Sequence, residues 1–429
     1  MRTAEKRFGF SDCSIHPFPC KGSRLVGRDK VAPPFNAPAK VNLWLMTFAR
    51  GTFGHSGTRQ ADELQTLIPR TPALRPSVSM HPPKIPLLER LAPGTTQRHR
   101  AKLPGSALAN DEPRPVITVT GVNPGPTLFV NGGLHGGEYP AIEAVIRLGR
   151  ALEPNTINGT VVLMPVLNLP AFRNRTAFVC PIDGVNPNRV FPGDPTGSYS
   201  EQMVHALINE FVAHADAYVD LHGGDIPEDL VPFVICRAGA EPVDQKSKAM
   251  ALAFGLPYVL AVSKPVQPAK GSSSYVGAAE AGVPAILAEA GGVGQLQKDA
   301  VQLLIDGVVR VMRQLEMIKS EGRISKSETN SKVGELKDSA QLTPLPEGEA
   351  EMPTVLTECK GGSSKHAGMW YSRVAAGDLV AEGQEIGGVG DLFGDTLETI
   401  TAPVRGRVLF LTINPSVQAN GLLMGIGVT

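Results

Sequence analysis

The chain contains 429 residues, of which 42% are hydrophobic, 5% aromatic and 19% charged. Its 41 basic side chains balance its 41 acidic ones, so there is no net charge to attract nucleic acid or an anionic membrane, and we expect neither as a partner. The five cysteines lack a Cys-x-x-Cys pair and no apolar run approaches the roughly 20 residues that cross a bilayer, which argues against a disulfide framework, a thiolate metal site and a membrane span.

The first 79 residues differ in composition from the rest of the chain. They carry 12 basic and 5 acidic side chains, are rich in Pro, Gly, Arg and Thr, and show no sustained apolar period. We expect residues 1–79 to be disordered, and two origins stay open: a transit peptide, or an over-extended N-terminus before a start at Met80. Without a transit peptide, a cytoplasmic location is expected.

Residues 80–318 are predicted to form one α/β domain with a mostly parallel (mixed) sheet flanked by helices. Short apolar runs alternate there with amphipathic segments, which is the order typical of such a fold. The predicted strands are 116–120, 127–130, 161–167, 218–221, 232–236, 258–262 and 285–288.

Three segments of this domain have the apolar spacing of helices. The segment 140–152 has Pro140 near its first turn, and 198–213 begins with Ser198 and Glu201 in capping-box spacing. The segment 295–318 is the longest and is expected to close the domain.

Composition changes again after residue 318. Residues 319–352 run through Lys, Ser, Glu, Gly and Pro without periodic apolar positions, which predicts a flexible linker. Residues 353–429 show short β-like runs separated by Gly and Asp, so we expect a small all-β C-terminal module.

Candidate metal ligands follow two of the predicted strands. His135 and Glu138 lie in the Gly-rich loop after strand 127–130, and His222 follows strand 218–221. Because the carboxyl ends of parallel strands share one edge of a sheet, these residues are expected to converge. Two imidazoles and one carboxylate suit a catalytic Zn²⁺, since a fourth position stays open for a water whose pKa falls toward about 7.

Neighbouring polar residues have other candidate roles. Asp225 is a competing ligand in reserve, and Asp220 is expected to orient a ligand rather than to touch the metal. Glu289, which emerges from an apolar strand, suits a general base, with a buried salt bridge as the alternative. Asn188 and Arg189 suit a clamp for a substrate carboxylate, with structural pairing across their loop as the alternative.

Taken in order, these motifs resemble the succinylglutamate desuccinylase and aspartoacylase family, which has a zinc carboxypeptidase-like fold. The resemblance covers roughly residues 113–315. It implies one Zn²⁺ per chain on His135, Glu138 and His222, with Glu289 activating water and protonating the leaving amine. It also implies that Asn188 and Arg189 bind the substrate carboxylate.

Two positions depart from the family pattern. The family usually has an arginine upstream of the Asn-Arg pair that stabilises the oxyanion; Arg173 and Arg175 are both near that position, and Arg175 is our choice. Where the family has an Asp two places before the Asn, this chain has Asn186. The charge balance near the metal is therefore expected to differ.

The C-terminal module resembles the lipoyl or biotinyl barrel-sandwich fold through residues 377–384 and 400–406. Its lysines, Lys360 and Lys365, lie outside the hairpin position that is modified in such domains. We therefore expect a structural role beside the active site or in homo-oligomerisation rather than a swinging arm.

Together these features predict a zinc-dependent hydrolase that cleaves the amide bond of N-acyl amino acids or similar small carboxylate-bearing amides. A metallocarboxypeptidase that acts on peptide C-termini is one alternative, because the same residues serve either amide. A non-catalytic binding protein with a vestigial metal site is another. A small-molecule substrate is the expected partner.

Overall fold

A computed structural model of the chain describes residues 92–103, 112–262, 271–318 and 352–429. The predicted disordered segment 1–79 lies outside the described residues, as does the predicted linker except for its last residue. Among the helices that the structure describes, none is both long and apolar enough to cross a membrane.

A nine-stranded mixed sheet forms the larger part of the described chain, as the sequence predicts. Its strands are β1 (Thr95–Ala101), β2 (Arg114–Thr120), β3 (Asn123–Asn131), β4 (Asn158–Met164), β5 (Ala217–His222), β7 (Phe233–Arg237), β8 (Tyr258–Val262), β9 (Ala285–Glu289) and β10 (Thr354–Leu356), while β6 (Glu228–Leu230) belongs to another sheet. The order is β1-β2-β4-β3-β5-β9-β7-β8-β10. The centre, β4-β3-β5-β9, is parallel.

Helices cover both faces of this sheet. They are α1 (Tyr139–Ala151), α2 (Leu169–Asn174), α3 (Tyr199–Glu210), α4 (Pro242–Phe254), α5 (Ser274–Glu280) and α6 (Lys298–Gln314). Along β5, Val219 packs with α1, α4 and α6 in one core, whereas Tyr218 packs with α3 and α5 in the other. This alternation is what a strand buried on both faces requires.

The three predicted helices are confirmed as α1, α3 and α6, with bounds that differ by a few residues. Both halves of the capping box of Ser198 and Glu201 are present at the start of α3. Helices α2, α4 and α5 were not predicted from the sequence. The buried apolar positions of α4 are concentrated in its second half, from Met250 to Phe254, so its first half carries no periodic signal.

The C-terminal module is all-β, as predicted. Its strands are β11 (Cys359–Ser363), β12 (Gly368–Ser372), β13 (Leu379–Val380), β14 (Glu385–Gly390), β15 (Thr396–Thr401), β16 (Gly406–Thr412), β17 (Ser416–Val417) and β18 (Leu422–Val428). They form two antiparallel sheets, β11-β18-β16-β13 and β15-β14-β12-β17. A separate apolar core, which includes Trp370, Ile386 and Ile426, fills the module.

The two parts of the chain exchange strands. The sequence analysis starts the module at residue 353, but β10 adds in parallel to β8 at the edge of the large sheet. In return, β6 adds antiparallel to β16, with Leu230 opposite Phe410. Each exchange covers backbone hydrogen-bonding groups that an open sheet edge would expose, so the module is fixed to the larger domain through main-chain pairing.

The close approach of α6 to α4 gives a stability prediction. Gly307 lies in α6 against the buried ring of Phe254, and a Cβ at this position would overlap that ring. Replacing Gly by Ala in an exposed helix stabilises by about 1 kcal/mol. We expect Gly307→Ala instead to lower the free energy of unfolding by about 1–3 kcal/mol, because the core is overpacked.

Denaturant unfolding measures this difference. Gln314→Ala, at an exposed position of the same helix, is the matched control and should leave the stability near that of the wild type. A Gly307→Ala protein as stable as the control would contradict the close packing.

Candidate metal and catalytic site

The register of three adjacent parallel strands brings the predicted site residues together. β5 lies between β3 and β9, and it pairs Asp220 with Asn131 on one side and His222 with Glu289 on the other. The loop that carries His135 starts where β3 ends. The carboxyl ends of the three strands therefore deliver their polar side chains to one place, as expected for an α/β sheet.

The loop between β3 and α1 can approach its neighbours closely because it is rich in glycine. A Cβ on Gly136 would overlap the backbone of Ala171 in α2, and a Cβ on Gly137 would overlap the carboxylate of Asp225. Only glycine fits at these two positions. The tight packing fixes His135 and Glu138, which flank the pair, against the rest of the site.

His135, Glu138 and His222 are buried and can offer ligand atoms that all lie within 4.8 Å of one another. The Nδ1 atom of His135 lies 2.7 Å from Oε1 of Glu138, and Nδ1 of His222 lies 3.0 Å from Oε2. Both imidazoles therefore turn the same ring nitrogen toward one carboxylate. The structure brings together the three residues that the sequence nominates as metal ligands.

The opposite ring nitrogens face hydrogen-bond acceptors. Nε2 of His135 lies 3.1 Å from Oδ1 of Asn186, and Nε2 of His222 lies 2.9 Å from Oδ2 of Asp220. Oδ1 of Asp220 accepts a hydrogen bond from Asn131 at 2.8 Å. A proton on each Nε2 leaves each Nδ1 with a lone pair, which is how acceptors behind a histidine prepare it to bind a metal.

This donor set fits zinc. Burial alone would raise the pKa of Glu138, but the charges of His222 and His135 outweigh it and lower that pKa to about 2, so the carboxylate is ionised. Its buried Oε2 atom makes no hydrogen bond within the described residues, although Nδ1 of His222 is 3.0 Å away. Two nitrogens and one oxygen suit Zn²⁺ better than Mg²⁺ or Ca²⁺, which prefer oxygen ligands.

Asp225, the reserve ligand, has a different task. Its two oxygens accept hydrogen bonds from the backbone N–H groups of Phe178 at 2.6 Å and Ile226 at 2.7 Å. It is not in the ligand cluster. Asp225 instead holds the loop after α2 in place, which sets the ring of Phe178 edge-on to His135 at 6.2 Å.

Glu289, the candidate general base, ends β9 directly beside His222. Burial is the main reason that its pKa is raised well above the usual range; the charge of His222 opposes this effect, and those of Glu138 and Glu228 add to it. Its Oε2 atom makes no hydrogen bond within the described residues, and no ion pair is found there either. The arrangement differs from the buried salt bridge that was the alternative interpretation.

Asn188 and Arg189 lie in the loop before α3, near the start of α5. Oδ1 of the buried Asn188 accepts a hydrogen bond from the N–H of Ser274 at 3.0 Å, so this amide has a structural contact. Arg189 donates to the carbonyl of Asn188 at 2.8 Å but makes no ion pair within the part of the chain that is described.

The Arg189 side chain is exposed, yet the surrounding protein displaces enough water to lower the pKa of its guanidinium. The charges of Tyr275, Glu228 and Glu289 act in the opposite direction on that pKa.

The two candidate oxyanion arginines have different environments. Arg173 forms an ion pair with Glu112 at the surface. Arg175 ends α2 with a left-handed backbone (φ 53°) and an exposed side chain, three residues before Phe178. The pairing of Arg173 favours Arg175 for the oxyanion role, which stays a prediction.

Glu228 is a titratable residue near the site that the sequence did not indicate. Burial is the main reason that its pKa is raised to about 8, and Glu138 and Asp225 raise it further while Arg189 lowers it. One feature of the sequence could have indicated this residue: it is a carboxylate shortly after His222. The pairing of β6 with β16 of the C-terminal module fixes the backbone at that residue, opposite Thr412.

The fold and the cluster together define a mixed α/β protein with a buried His-Glu-His site of metalloenzyme type. Residues 124–315 match the model of the succinylglutamate desuccinylase/aspartoacylase catalytic domain. Over this region the chain is similar to the succinylglutamate desuccinylase/aspartoacylase family.

Individual proteins show the same similarity. The N-alpha-acetyl-L-2,4-diaminobutyric acid deacetylase of Halomonas elongata is 29% identical over 281 residues, which is 64% of this chain and 74% of that protein. The product-bound ectoine utilization protein EutE (DoeB) from Ruegeria pomeroyi shares 22% identity and a TM-score of 0.65, covering 79% of this chain and 98% of that one. The succinylglutamate desuccinylase/aspartoacylase from Rhodobacter sphaeroides shares 24% identity and a TM-score of 0.62, covering 78% and 95%.

The cluster predicts a zinc stoichiometry. We expect purified protein to bind one Zn²⁺ per chain and His222→Ala to lose most of it, because two protein ligands hold the ion far less well than three. Metal analysis after dialysis measures the content. His366→Ala, at an exposed position of the C-terminal module, should keep the ion; full occupancy in His222→Ala would rule out this ligand set.

The raised pKa of Glu228 predicts a pH effect on the metal-free protein. Below about pH 4.5 the carboxyl is protonated in both folded and unfolded chains, so it does not affect stability. Between about 4.5 and 8 the unfolded chain releases this proton while the folded one retains it, so stability falls as pH rises. Glu228→Gln should remove this loss, on the order of 5 kcal/mol.

Denaturant unfolding at pH 5 and pH 8.5 with a chelator measures the effect. The stability gap between Glu228→Gln and the wild type should widen at the higher pH, whereas Asp229→Asn, at the next position of β6, should show no such change. A gap that is independent of pH would be inconsistent with a raised pKa.

Proposed function

We propose that this chain is a zinc-dependent deacylase that hydrolyses the amide bond of N-acyl amino acids or similar small amides carrying a carboxylate. The observation that carries the proposal is the position of Glu289. Its carboxyl, which has no partner within the described residues, ends the strand beside His222, so a proton acceptor lies next to the candidate ligands. The match to the family's catalytic-domain model and the similarity to a deacetylase support the same chemistry.

His135, Glu138 and His222 are the residues that would hold the ion. When bound there, Zn²⁺ supplies Lewis acidity that polarises the amide carbonyl and acidifies a water molecule. Asn186 and Asp220 keep the two imidazoles in the orientation that binding needs. The ligands are rigid because each is buried and contacts a second polar group.

Glu289 is assigned the proton transfers. As general base it takes a proton from the attacking water, and as general acid it then gives that proton to the nitrogen of the leaving amine. A carboxyl with an ordinary pKa near 4.5 would release the proton too readily for the second task. The partly buried position of Glu289 raises its pKa and so suits both directions of transfer.

Asn188 and Arg189 are assigned to the substrate carboxylate. Oδ1 of Asn188 is already occupied by Ser274, so its amide nitrogen is the atom left to donate. Arg189 offers an exposed guanidinium without an ion-pair partner in the described residues. Together they can fix the carboxylate of the amino-acid portion by charge-assisted hydrogen bonds, while Arg175 is assigned to the oxyanion.

A single substitution tests the role of Glu289. We expect Glu289→Gln to lower kcat by about 10²- to 10⁴-fold with N-acyl amino acids, because the proton acceptor is lost while shape is kept. Zinc content should stay at one ion per chain, which separates loss of chemistry from loss of metal. Wild-type turnover in Glu289→Gln would exclude it as the base.

The substrate assay separates this proposal from its rivals. Zinc-loaded protein is offered N-acyl amino acids beside short peptides with free C-termini, with and without a chelator. Chelator-sensitive hydrolysis of N-acyl amino acids supports the deacylase, and cleavage of the peptides alone would instead establish a metallocarboxypeptidase. No zinc-dependent turnover on either class would favour a binding protein.

A further inference from the structure

One side-chain oxygen joins a candidate metal ligand to the residues assigned to the substrate carboxylate. Oδ1 of Asn186 lies 3.1 Å from Nε2 of His135, and the same atom accepts a hydrogen bond from the N–H of Asn188 at 2.9 Å. A carboxamide oxygen has two lone pairs, so it can accept both bonds at once. Asn186 is therefore in direct contact with both parts of the site.

The carboxylate clamp, which is Asn188 and Arg189, depends on Asn186 for its backbone position. Asn186 caps the short 3-10 turn Pro187–Arg189 with its side chain, and its carbonyl accepts a hydrogen bond from the N–H of Arg189 at 3.1 Å. Each clamp residue thus donates its backbone N–H to Asn186. A rotation of the Asn186 side chain would release one of these two bonds.

The other side of the clamp is held by contacts that do not involve Asn186. Oδ1 of Asn188 accepts a hydrogen bond from the N–H of Ser274 at 3.0 Å. Phe191 and Ser272 exchange two backbone hydrogen bonds, at 2.8 and 3.1 Å. Because these contacts anchor the segment, we expect it to stay folded when the side chain of Asn186 is removed.

An ion in the site would determine which nitrogen of His135 carries the proton. Nδ1 lies 2.7 Å from the carboxylate of Glu138, and Nε2 faces the oxygen of Asn186, so an acceptor lies at each nitrogen. A neutral imidazole has one N–H and can donate to only one of these two acceptors. An ion on Nδ1 leaves the N–H on Nε2, where it is directed at Asn186.

We propose that Asn186 is a positioning residue that couples zinc binding to the position of the carboxylate clamp. In the loaded protein the N–H of His135 holds the oxygen of Asn186, and that oxygen holds the N–H of Asn188. This inference rests on the proposed deacylase function and adds a form of regulation to it: the clamp is ordered when the metal site is filled. Asn186 itself touches neither the ion nor the substrate.

Hydrogen exchange tests the coupling without turnover. Amide exchange of a peptide that spans residues 184–191 is compared in zinc-loaded and chelator-treated protein at about pH 7.5, above the ordinary pKa of an imidazole. Zinc should slow exchange at Asn188 of the wild type by about 2- to 10-fold, the effect of one hydrogen bond. Equal exchange in the two wild-type samples would overturn the proposal, and this comparison needs no variant.

Two substitutions of Asn186 test whether its oxygen carries the effect. In Asn186→Ala, saturating zinc should leave exchange at Asn188 unchanged, because no acceptor joins this N–H to His135. Asn186→Asp keeps an acceptor oxygen at the same place and should restore the response to zinc. An Asn186→Ala protein that responds to zinc as the wild type does would exclude Asn186 as the link.

Zinc affinity and KM together separate coupling from local damage. Affinity is measured by competition with a chromophoric chelator, and KM is measured for N-acyl amino acids at saturating zinc. Asn186→Ala should bind zinc about 10-fold or more weakly and raise KM by about 3- to 10-fold. A change in only one of the two quantities would contradict the coupling.

Two control variants each remove a contact of the same segment. Asn188→Ala, which keeps the acceptor behind His135, should raise KM and leave zinc affinity near that of the wild type. Asp183 accepts hydrogen bonds from Ser200 at 2.7 and 3.0 Å. Asp183→Asn should leave zinc affinity unchanged even if it loosens the loop. A loss of zinc affinity in both controls would show general damage and overturn the proposal.

This inference and the deacylase proposal fail in different ways. A zinc response of the clamp that disappears in Asn186→Ala supports the coupling even where N-acyl amino acids are not hydrolysed, and such a result contradicts only the deacylase proposal. Zinc-dependent hydrolysis by a protein whose clamp exchanges equally with and without zinc supports the deacylase and overturns the coupling alone.

Discussion

The site depends on one buried carboxylate that two imidazoles share. Glu138 presents one oxygen to Nδ1 of His135 and the other to Nδ1 of His222, at 2.7 and 3.0 Å. Three buried polar groups at this spacing are expensive unless an ion or a proton compensates them. The neighbouring strands, the glycine-rich loop and the acceptors behind each histidine all act to keep this arrangement in place.

Rigidity in this site comes mainly from backbone packing. Glycines at positions 136 and 137 let the ligand loop lie against α2 and Asp225, and those at 224 and 292 let the loops after β5 and β9 lie against the carbonyl of Glu228. A side chain at any of these four positions would overlap the neighbouring segment and displace the loop that carries it. A shift of that kind moves a ligand or the base, so these positions constrain the geometry of the site as strongly as the polar residues do.

The C-terminal module is part of this geometry. Because β6 is a strand of the module's sheet and β10 is a strand of the larger sheet, neither domain presents its complete sheet without the other. The exchange explains how a domain without a lysine on its hairpin can still matter for the site: it positions the segment between Asp225 and Leu230. A structural role was expected for the module because Lys360 and Lys365 lie outside the hairpin position, and that role stays a prediction.

The sequence alone determined the elements and the chemistry that local pattern encodes. Apolar runs and helical spacing predicted the mixed sheet and three of its helices. His222 and Glu289 were found because each directly follows an apolar run, and His135 and Glu138 because they lie in the Gly-rich loop after one. Local signals of this type depend on spacing along the chain, which a single sequence contains. The order of the strands, the exchange of β6 and β10, and the separate tasks of Arg173 and Asp225 depend on partners distant in the chain. Only the tertiary structure shows these features, because the pairing of two distant segments produces no periodic pattern in the sequence of either segment.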